Sequence, residues 1–313
     1  MKVLFLFVAF FFSSFIHFFV QKVFIAYRKF DDFNHRSSHK TLATRTGGIG
    51  IFITLLIISI FYYSQNVEIF DYSLLIPIGI MFIVGVYDDF YNADFKLKFL
   101  LQIIVAKILI DQGFIIENYH GLFGLYEIPR VLAQLTTTFV FLVIVNAINF
   151  IDGIDGLAIT EVIKTILLLE FFSHQYTSLS TFSSIIIGCL LPLYYFNFKE
   201  KRKIFLGDGG SLLLGTVASI YAFFILGPNY SFNPESFYIN KTLFSILILL
   251  YPLIDLLRVF IIRIKNKKSP FQPDQNHLHH ILIKKGYSSF ISFIMIQTVF
   301  CLVLGLFFVA KLI

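Results

Sequence analysis

Long apolar runs recur along the whole chain, and they restrict the folds that it can adopt more than any other feature. A helix needs roughly 20 residues to cross the hydrocarbon core of a bilayer, and ten runs come close to that length. These predicted spans cover approximately residues 3–25, 47–63, 73–87, 97–112, 131–149, 157–173, 181–197, 210–227, 242–262 and 289–311. Of the 313 residues, 57% are hydrophobic and 14% are charged, a balance that excludes a soluble domain. The sequence predicts an all-α, polytopic membrane protein with about ten transmembrane helices, folded as one domain over residues 1–313.

The loops between these spans fall into two sets that differ in charge. The set that is rich in Lys and Arg comprises residues 26–46, 88–96, 150–156, 198–209 and 263–288. The opposite set carries only Arg130 and Lys241. Basic loops tend to stay in the cytoplasm during insertion, so we expect the first set to be cytoplasmic and both termini to lie outside. The net charge of +6 then reports orientation and requires no nucleic-acid partner.

Four polar motifs lie at the ends of the predicted spans, and all four fall in the basic loops or beside them. They are GVYDDFYNADFK after the third span, NAINFIDGIDGL after the fifth, FLGDGGSLLLG at the start of the eighth and PDQNHLHH between the ninth and the tenth. Chance does not readily collect carboxylate pairs, Gly-rich turns and a His cluster at one face of a membrane protein. The pattern therefore predicts a polar site at the cytoplasmic face.

The first motif contains two adjacent carboxylates, Asp88 and Asp89, and Lys98 follows at the start of the next span. Neighbouring residues on a helix point about 100° apart, so one aspartate can catalyse while the other positions. Lys98 can bind a phosphate. Simpler interpretations remain, because acidic residues are tolerated at the headgroup level and an interfacial lysine commonly snorkels.

The second motif places Asn146, Asn149, Asp152 and Asp155 at intervals of three residues. On a helix this spacing drifts slowly around one side, so neighbouring members can converge on one ligand before the glycines of the motif permit a turn. The alternative is that Asp155 merely caps the sixth span. That alternative explains one residue of the four.

The third motif, GDGGS, combines a Gly-rich turn with Asp208. Glycines let backbone N–H groups approach a ligand, and the N-terminus of a helix favours a phosphate. Asp208 offers a hard oxygen ligand, and Mg²⁺ typically takes one or two protein ligands together with substrate phosphates. A plain loop that closes onto a helix would not explain the aspartate.

Three histidines, His277, His279 and His280, lie in a basic loop. Clustered histidines suggest zinc, whereas imidazoles beside phosphate-binding elements suit contacts with a phosphate or a sugar, and we favour the second interpretation. The opening loop adds Lys40 and Arg45 before a Gly-Gly pair. Alone it is a basic surface attracted to anionic lipid; facing the other motifs, it can help to cover a nucleotide.

Taken in this order, from HKTLATRTGG to HLHH, the motifs resemble those of the polyprenyl-phosphate N-acetylhexosamine-1-phosphate transferase family. The resemblance implies a cytoplasmic-facing active-site groove that binds Mg²⁺, with Mn²⁺ as a substitute, a UDP-HexNAc donor and undecaprenyl phosphate. The HLHH form is similar to that of bacterial members that use UDP-GlcNAc. Asn92 departs from the pattern, since some members carry an acidic residue there. From the resemblance we also expect the chain to lack the last span of some longer relatives.

The resemblance and the motifs together assign expected roles to thirteen residues. The expected catalytic residues are Asp88, Asp89, Asp155 and His277; the substrate-binding residues are Lys40, Arg45, Lys98, Asn146, Asp152, His279 and His280; the metal ligands are Asp208 and Asn149. We expect Asp88 and Asp89 to act on the lipid phosphate and Asp208 to be the principal Mg²⁺ ligand.

The expected reaction moves a HexNAc-1-phosphate, with GlcNAc-1-phosphate as the first choice, from the UDP-sugar to the lipid phosphate and releases UMP. We therefore expect a multi-pass protein of the bacterial cytoplasmic membrane. The oligomeric state stays open, and a homodimer is one of the alternatives. Two other classes remain. A transporter of nucleotide sugars or glycolipids would share the phosphate contacts, and an intramembrane aspartyl protease could use YDDF and LGDGG, although Phe205 stands where its common motif needs glycine.

Overall fold

The computed structural model describes residues 2–30, 43–233, 239–269 and 274–312, and most of them are helical. The α-helices within these residues are α1 (Lys2–Ala26), α2 (Gly47–Ser64), α3 (Leu75–Tyr91), α4 (Phe95–Asp111), α5 (Arg130–Ile151), α6 (Leu157–Phe172), α7 (Ser180–Phe198), α8 (Gly207–Leu226), α9 (Lys241–Ile248), α10 (Leu250–Lys265), α11 (Leu278–Lys284) and α12 (Ser289–Leu312). A 3₁₀ turn, Tyr72–Leu74, leads directly into α3. The short strands are β1 (Ala43–Thr44), β2 (Asn118–Leu122), β3 (Leu125–Glu127) and β4 (Lys203–Ile204).

In the described part of the chain, seven helices are long and apolar enough to cross a membrane, and α9 with α10 makes an eighth if the bent pair is one span. This confirms the predicted polytopic membrane protein. α4 and α6 match two further predicted spans but have only 17 and 16 residues. The predicted total of ten spans and the groove therefore stay predictions.

Two predicted loop boundaries are wrong, and both concern acidic residues. α3 continues to Tyr91, so Asp88 and Asp89 lie in its last turns rather than in a loop. α8 begins at Gly207, which places Asp208 in its first turn. Hydrophobicity marks the end of an apolar run, whereas a helix continues through polar residues until its backbone changes direction. For α3 this happens at Asn92, which adopts a left-handed conformation with φ of 51°.

The ninth predicted span, 242–262, is broken by a 77° bend between α9 and α10. Pro252 lies in the first turn of α10, where a backbone N–H has no helical partner to lose. Proline cannot donate to the carbonyl of Ile248, the last residue of α9. The Thr165 hydroxyl of α6 donates to that carbonyl instead, at 3.4 Å.

α8 forms the centre of the bundle. Its apolar window is 100% buried, compared with 33% for α1 and 22% for α12, and it packs against α2, α3, α5, α6 and α9. The large core cluster is built around it. The first turn of α8, which carries Asp208, is consequently surrounded by the ends of several other helices.

Glycines allow α2 and α3 to approach this first turn closely. A Cβ atom at Gly48 would lie 2.6 Å from the Cα of Gly210, and one at Gly85 would lie 2.5 Å from the Gly209 nitrogen. Real side chains do not tolerate such distances. Small residues at helix interfaces let backbones come together in this way, and here they bring α3 against the residues that flank Asp208.

A two-residue parallel pair ties together the segments that precede α2 and α8. β1 pairs with β4 through Ala43 opposite Lys203 and Thr44 opposite Ile204. The pairing continues as Gly47 and Gly48 donate backbone hydrogen bonds of 2.9 Å to the carbonyls of Phe205 and Leu206. This clamp places Arg45 beside the N-terminus of α8. β2 and β3 form an antiparallel pair between α4 and α5, at the other end of these helices.

Candidate active site

Most of the predicted site residues in the described part of the chain come together at one end of the bundle, where α3 and α5 end and α8 and α11 begin. Asp88, Asp89, Asn149 and Asp208 form its centre, as the contacts below show. Lys40 lies outside the described residues. The predicted clustering of the four motifs at one face is thus observed for the described residues.

Asp88 lies between a lysine and a second carboxylate. Its Oδ2 accepts a hydrogen bond from the Lys98 ammonium group, and its Oδ1 accepts one of 2.8 Å from the backbone N–H of Ala93. The carboxyl groups of Asp88 and Asp208 are within hydrogen-bonding reach of each other. Two facing carboxylates repel unless a proton or a cation lies with them, so this pair is a natural place for a cation.

Asp89 points in a different direction and caps α8. Its two carboxylate oxygens accept hydrogen bonds of 3.0 Å from the backbone N–H groups of Asp208 and Gly209, and Arg45 donates to Oδ1 at 3.2 Å. The expectation that adjacent aspartates face different partners agrees with this arrangement. These two N–H groups are occupied by a carboxylate in this structure, and the predicted contact between the N-terminus of α8 and a phosphate stays a prediction.

Asn149 joins α5 to the same centre. Its amide nitrogen donates to Asp208 Oδ1 at 2.9 Å and to the Ser211 hydroxyl at 2.7 Å, while its amide oxygen accepts no hydrogen bond from the described residues. Asn146, one turn earlier, faces away and donates to Gln102 of α4 at 3.0 Å and to the Leu142 carbonyl. Of the two asparagines, Asn149 alone touches Asp208.

The two aspartates of the turn after α5 have different surroundings. Asp155 forms an ion pair with Lys203 of β4, a partner that the sequence did not suggest. Asp152 directly follows α5, and its backbone N–H donates to the Asn149 carbonyl at 3.3 Å, whereas its carboxylate has no hydrogen-bond partner among the described residues. Burial raises the pKa of Asp152 well above its usual range, and the nearby carboxylates of Asp208 and Asp89 raise it further.

The three histidines lie against the turn that follows α5. A Cβ atom at Gly153 would meet the His279 ring, whose Cδ2 would be only 2.8 Å away, so glycine is needed where the ring packs. His277 contacts Phe150, with ring centroids 5.6 Å apart. His279 is completely buried, and neither of its ring nitrogens has a hydrogen-bond partner among the described residues. Burial and the neighbouring His280 and His277 lower the pKa of His279 to about 3.

Sequence reasoning missed the residues that hold the histidine segment in place. Asp255 of α10 accepts hydrogen bonds from His277, Arg258 and the backbone of Leu278. The available signal was a carboxylate inside a predicted apolar span, which is a functional hypothesis by default.

A second buried ion pair secures the same loop. Arg263, which is 3% exposed, donates to Asp274 at 2.8 Å. Burial alone would raise the pKa of Asp274, but the hydrogen bonds from Arg263 and Asn276 outweigh it and lower the pKa to about 2. The pair anchors the segment that leads into α11 to the end of α10.

The donor set fits magnesium better than zinc. In the described residues no three His, Cys, Asp or Glu side chains come together as a metal site, which gives the zinc alternative no support. Asp208, Asp88 and the free amide oxygen of Asn149 are hard oxygen donors, which Mg²⁺ prefers, and it uses few protein ligands when substrate phosphates supply the rest.

Comparisons with known proteins agree on one family. Residues 71–226 match the model described as Glycosyl transferase family 4. A probable undecaprenyl-phosphate N-acetylglucosaminyl 1-phosphate transferase of Bacillus subtilis is 32% identical over 289 residues, which cover 90% of this chain and 76% of the relative. The chain therefore belongs to the polyprenyl-phosphate N-acetylhexosamine-1-phosphate transferase family.

Other members of the family show the same extent of similarity. The undecaprenyl-phosphate alpha-N-acetylglucosaminyl 1-phosphate transferase of Escherichia coli K12 is 28% identical over 92% of this chain and 78% of its own length. A decaprenyl-phosphate N-acetylglucosaminephosphotransferase of Mycobacterium leprae is 30% identical over 81% of this chain and 69% of its own length. The family resemblance predicted from the motifs is confirmed.

Proposed function

We propose that this protein transfers GlcNAc-1-phosphate from UDP-GlcNAc to undecaprenyl phosphate, releasing UMP and forming a polyprenyl diphosphate sugar. The names of its relatives support the class of reaction, the sugar and the lipid. The observation that carries the proposal within the site is the facing pair Asp88 and Asp208, flanked by Lys98 and Asn149. Phosphoryl transfer depends mainly on positioning and on neutralising charge, and this pair sits between a basic group and a metal-binding amide.

We propose that Asp208, Asp88 and Asn149 hold Mg²⁺ together with the donor phosphates. A bound Mg²⁺ would polarise phosphoryl oxygens and offset the charge repulsion between two phosphates. Lys98, held by Asp88, provides a positive charge for the lipid phosphate. Of the two adjacent aspartates, Asp88 is the better candidate to act on that phosphate, because Asp89 already accepts hydrogen bonds from α8 and Arg45.

The histidine segment and the turn after α5 form the other side of the site. His277 packs on Phe150, His279 packs on Gly153, and the His280 ring centroid lies 4.1 Å from that of His279, so we assign the three histidines to the nucleotide-sugar. We place the site at the cytoplasmic face of a bacterial inner membrane, because the basic loops gather at the same end as the motifs.

The deciding experiment uses purified protein, undecaprenyl phosphate, Mg²⁺ and UDP-GlcNAc labelled at its β-phosphate, with other UDP-sugars as a panel. Transfer of the phosphosugar moves the label into the lipid product and leaves unlabelled UMP. Label that stays in released UDP would show attack at the sugar carbon instead. Uptake of UDP-GlcNAc into proteoliposomes without any lipid-linked product would favour the transporter.

A further inference from the structure

Asp255 is a completely buried carboxylate to which the motifs assigned no role. It lies on α10 and receives three hydrogen bonds from the histidine segment and its own helix. Oδ1 accepts from Arg258 at 2.9 Å and from the backbone N–H of Leu278 at 3.0 Å, and Oδ2 faces the Nδ1 atom of His277 at 2.8 Å. Asp255 thus connects a membrane helix to the first residue of α11 and to one imidazole ring.

The surroundings of this carboxylate decide which nitrogen of His277 carries the proton. An arginine is always charged and only donates, so Arg258 favours an ionised Asp255. An ionised carboxylate only accepts hydrogen bonds, so the Nδ1 atom of His277 must be the donor in this contact. The partner of one ring nitrogen determines the role of the other.

The second nitrogen, Nε2, is the atom that remains for a ligand. It has no hydrogen-bond partner among the residues that the structure describes, and His277 keeps a small exposed area, 4% of its surface. The ring is held between Phe150 and His279, at centroid distances of 5.6 and 5.7 Å. Phe150 directly follows Asn149, so the ring lies next to the proposed metal-binding motif.

We propose that Asp255 is a positioning residue: it fixes the ring of His277 with the proton on Nδ1 and directs Nε2 towards the bound nucleotide-sugar. This inference rests on the proposed function. It differs from a purely structural role, in which Asp255 would only cap α11 and pair with Arg258. Carboxylate partners that orient metal-ligating histidines typically change affinity or activity by about 10–100-fold when they are lost, and we expect an effect of this size for Asp255.

A pair of substitutions at His277 tests the assignment without altering Asp255. The amide of glutamine reaches the place of Nε2, whereas the shorter asparagine reaches only the place of Nδ1 and can keep the contact with Asp255. We expect His277→Gln to retain at least about tenfold more turnover than His277→Asn. No described carboxylate contacts the ring of His280. At this position the glutamine and the asparagine substitution should therefore lower turnover by factors that are similar to each other. An equal preference for glutamine at both positions, or greater activity of His277→Asn, would overturn the inference.

A double-mutant cycle then separates positioning from structure. Asp255→Asn should lower turnover by about 10–100-fold when His277 is present, and by less than about twofold when His277→Gln is already in place, because residues that act through one another are not additive. Equal losses in both backgrounds would show a structural role and refute the proposal.

The same cycle is measured with the Kd for UDP-GlcNAc by calorimetry on the detergent-solubilised protein. If the wild-type protein binds UDP-GlcNAc but forms no lipid product, the proposed reaction fails while the coupling between Asp255 and His277 is still determined. Wild-type protein that does not bind UDP-GlcNAc would contradict both.

Discussion

The close packing of α3 against α8 can be tested with a single substitution, because one added methyl group would force the two helices apart. Gly85 of α3 packs against the first turn of α8. A Cβ at this position would lie 2.5 Å from the Gly209 nitrogen, where an ordinary contact begins at 3.4 Å. Both neighbours are backbone, so Gly85→Ala must separate the helices by about 1 Å.

This displacement acts on the carboxylates directly. Asp88 and Asp89 follow Gly85 by about one helical turn on α3, and Asp208 lies at the contact itself. Misplacement of catalytic groups by about 1 Å can cost about 100-fold in rate, and overpacking costs about 1–3 kcal/mol in stability. We therefore expect Gly85→Ala to insert and fold but to lose about 100-fold in kcat.

Gly79→Ala is the matched control on the same helix. Its added methyl group would meet only the tip of the Phe52 ring, at 3.2 Å, and this side chain can move. Turnover of β-labelled UDP-GlcNAc and thermal inactivation in detergent are measured for both variants. If Gly85→Ala keeps kcat within about twofold of the wild type, or if Gly79→Ala loses as much, then the close packing of α3 on α8 does not set the geometry of the site.

Three further predictions follow from the same structure. Asp208→Asn removes the charge of the side chain but keeps its size, so turnover and Mg²⁺ dependence should collapse while the protein remains folded. The expected loss of transition-state stabilisation is several kcal/mol. Normal Mg²⁺ dependence, measured by titration, would contradict the assignment of Asp208 as a metal ligand. Because the folded state lowers the pKa of His279 from 6.5 to about 3, the unfolded chain takes up a proton first as the pH falls below about 6.5, and stability should decline by up to about 1.4 kcal/mol per pH unit. Half-times of thermal inactivation should show this slope in the wild type and a flatter one in His279→Gln, and equal slopes would refute it. In a background without Cys301, Asn229→Cys and Lys268→Cys should react with an impermeant thiol reagent from opposite sides of the membrane; labelling from the same side would refute the predicted topology.

The sequence was sufficient to predict the membrane class and the gathering of the motifs, since both depend on local patterns. Apolar runs mark the membrane-spanning helices. Successive spans cross the membrane in opposite directions, so polar residues at the end of one span and at the start of the next lie at the same face. This rule predicted that Asp88, Asn149 and Asp208 lie at one face, whereas their meeting in one site was implied by the family resemblance.

The sequence did not predict which groups these side chains contact. Asp89 caps α8 because glycines let α3 approach it, and that approach is a property of two helices that are far apart in sequence. Asp255 was hidden for a related reason: it lies within a predicted span, and only the bend before α10 and the folding back of α11 bring His277 to it. The positions of prolines in the sequence did not predict the bend. α7 continues through Pro192, whereas α9 ends before Pro252.

The distribution of basic partners supports the proposed cation site at Asp208. Three carboxylates of the site have basic partners from other parts of the chain: Asp88 with Lys98, Asp89 with Arg45 and Asp155 with Lys203. Among the residues that the structure describes, Asp208 and Asp152 have no such ion pair, and the pKa of Asp152 is raised by burial and then by the nearby carboxylate of Asp208. Carboxyl groups without a basic partner therefore gather on one side of the Asp88–Asp208 contact, next to the free oxygen of Asn149, and each negative charge formed there is unpaired. A divalent cation at this place would neutralise that charge and leave Lys98 for the phosphate that approaches from the lipid.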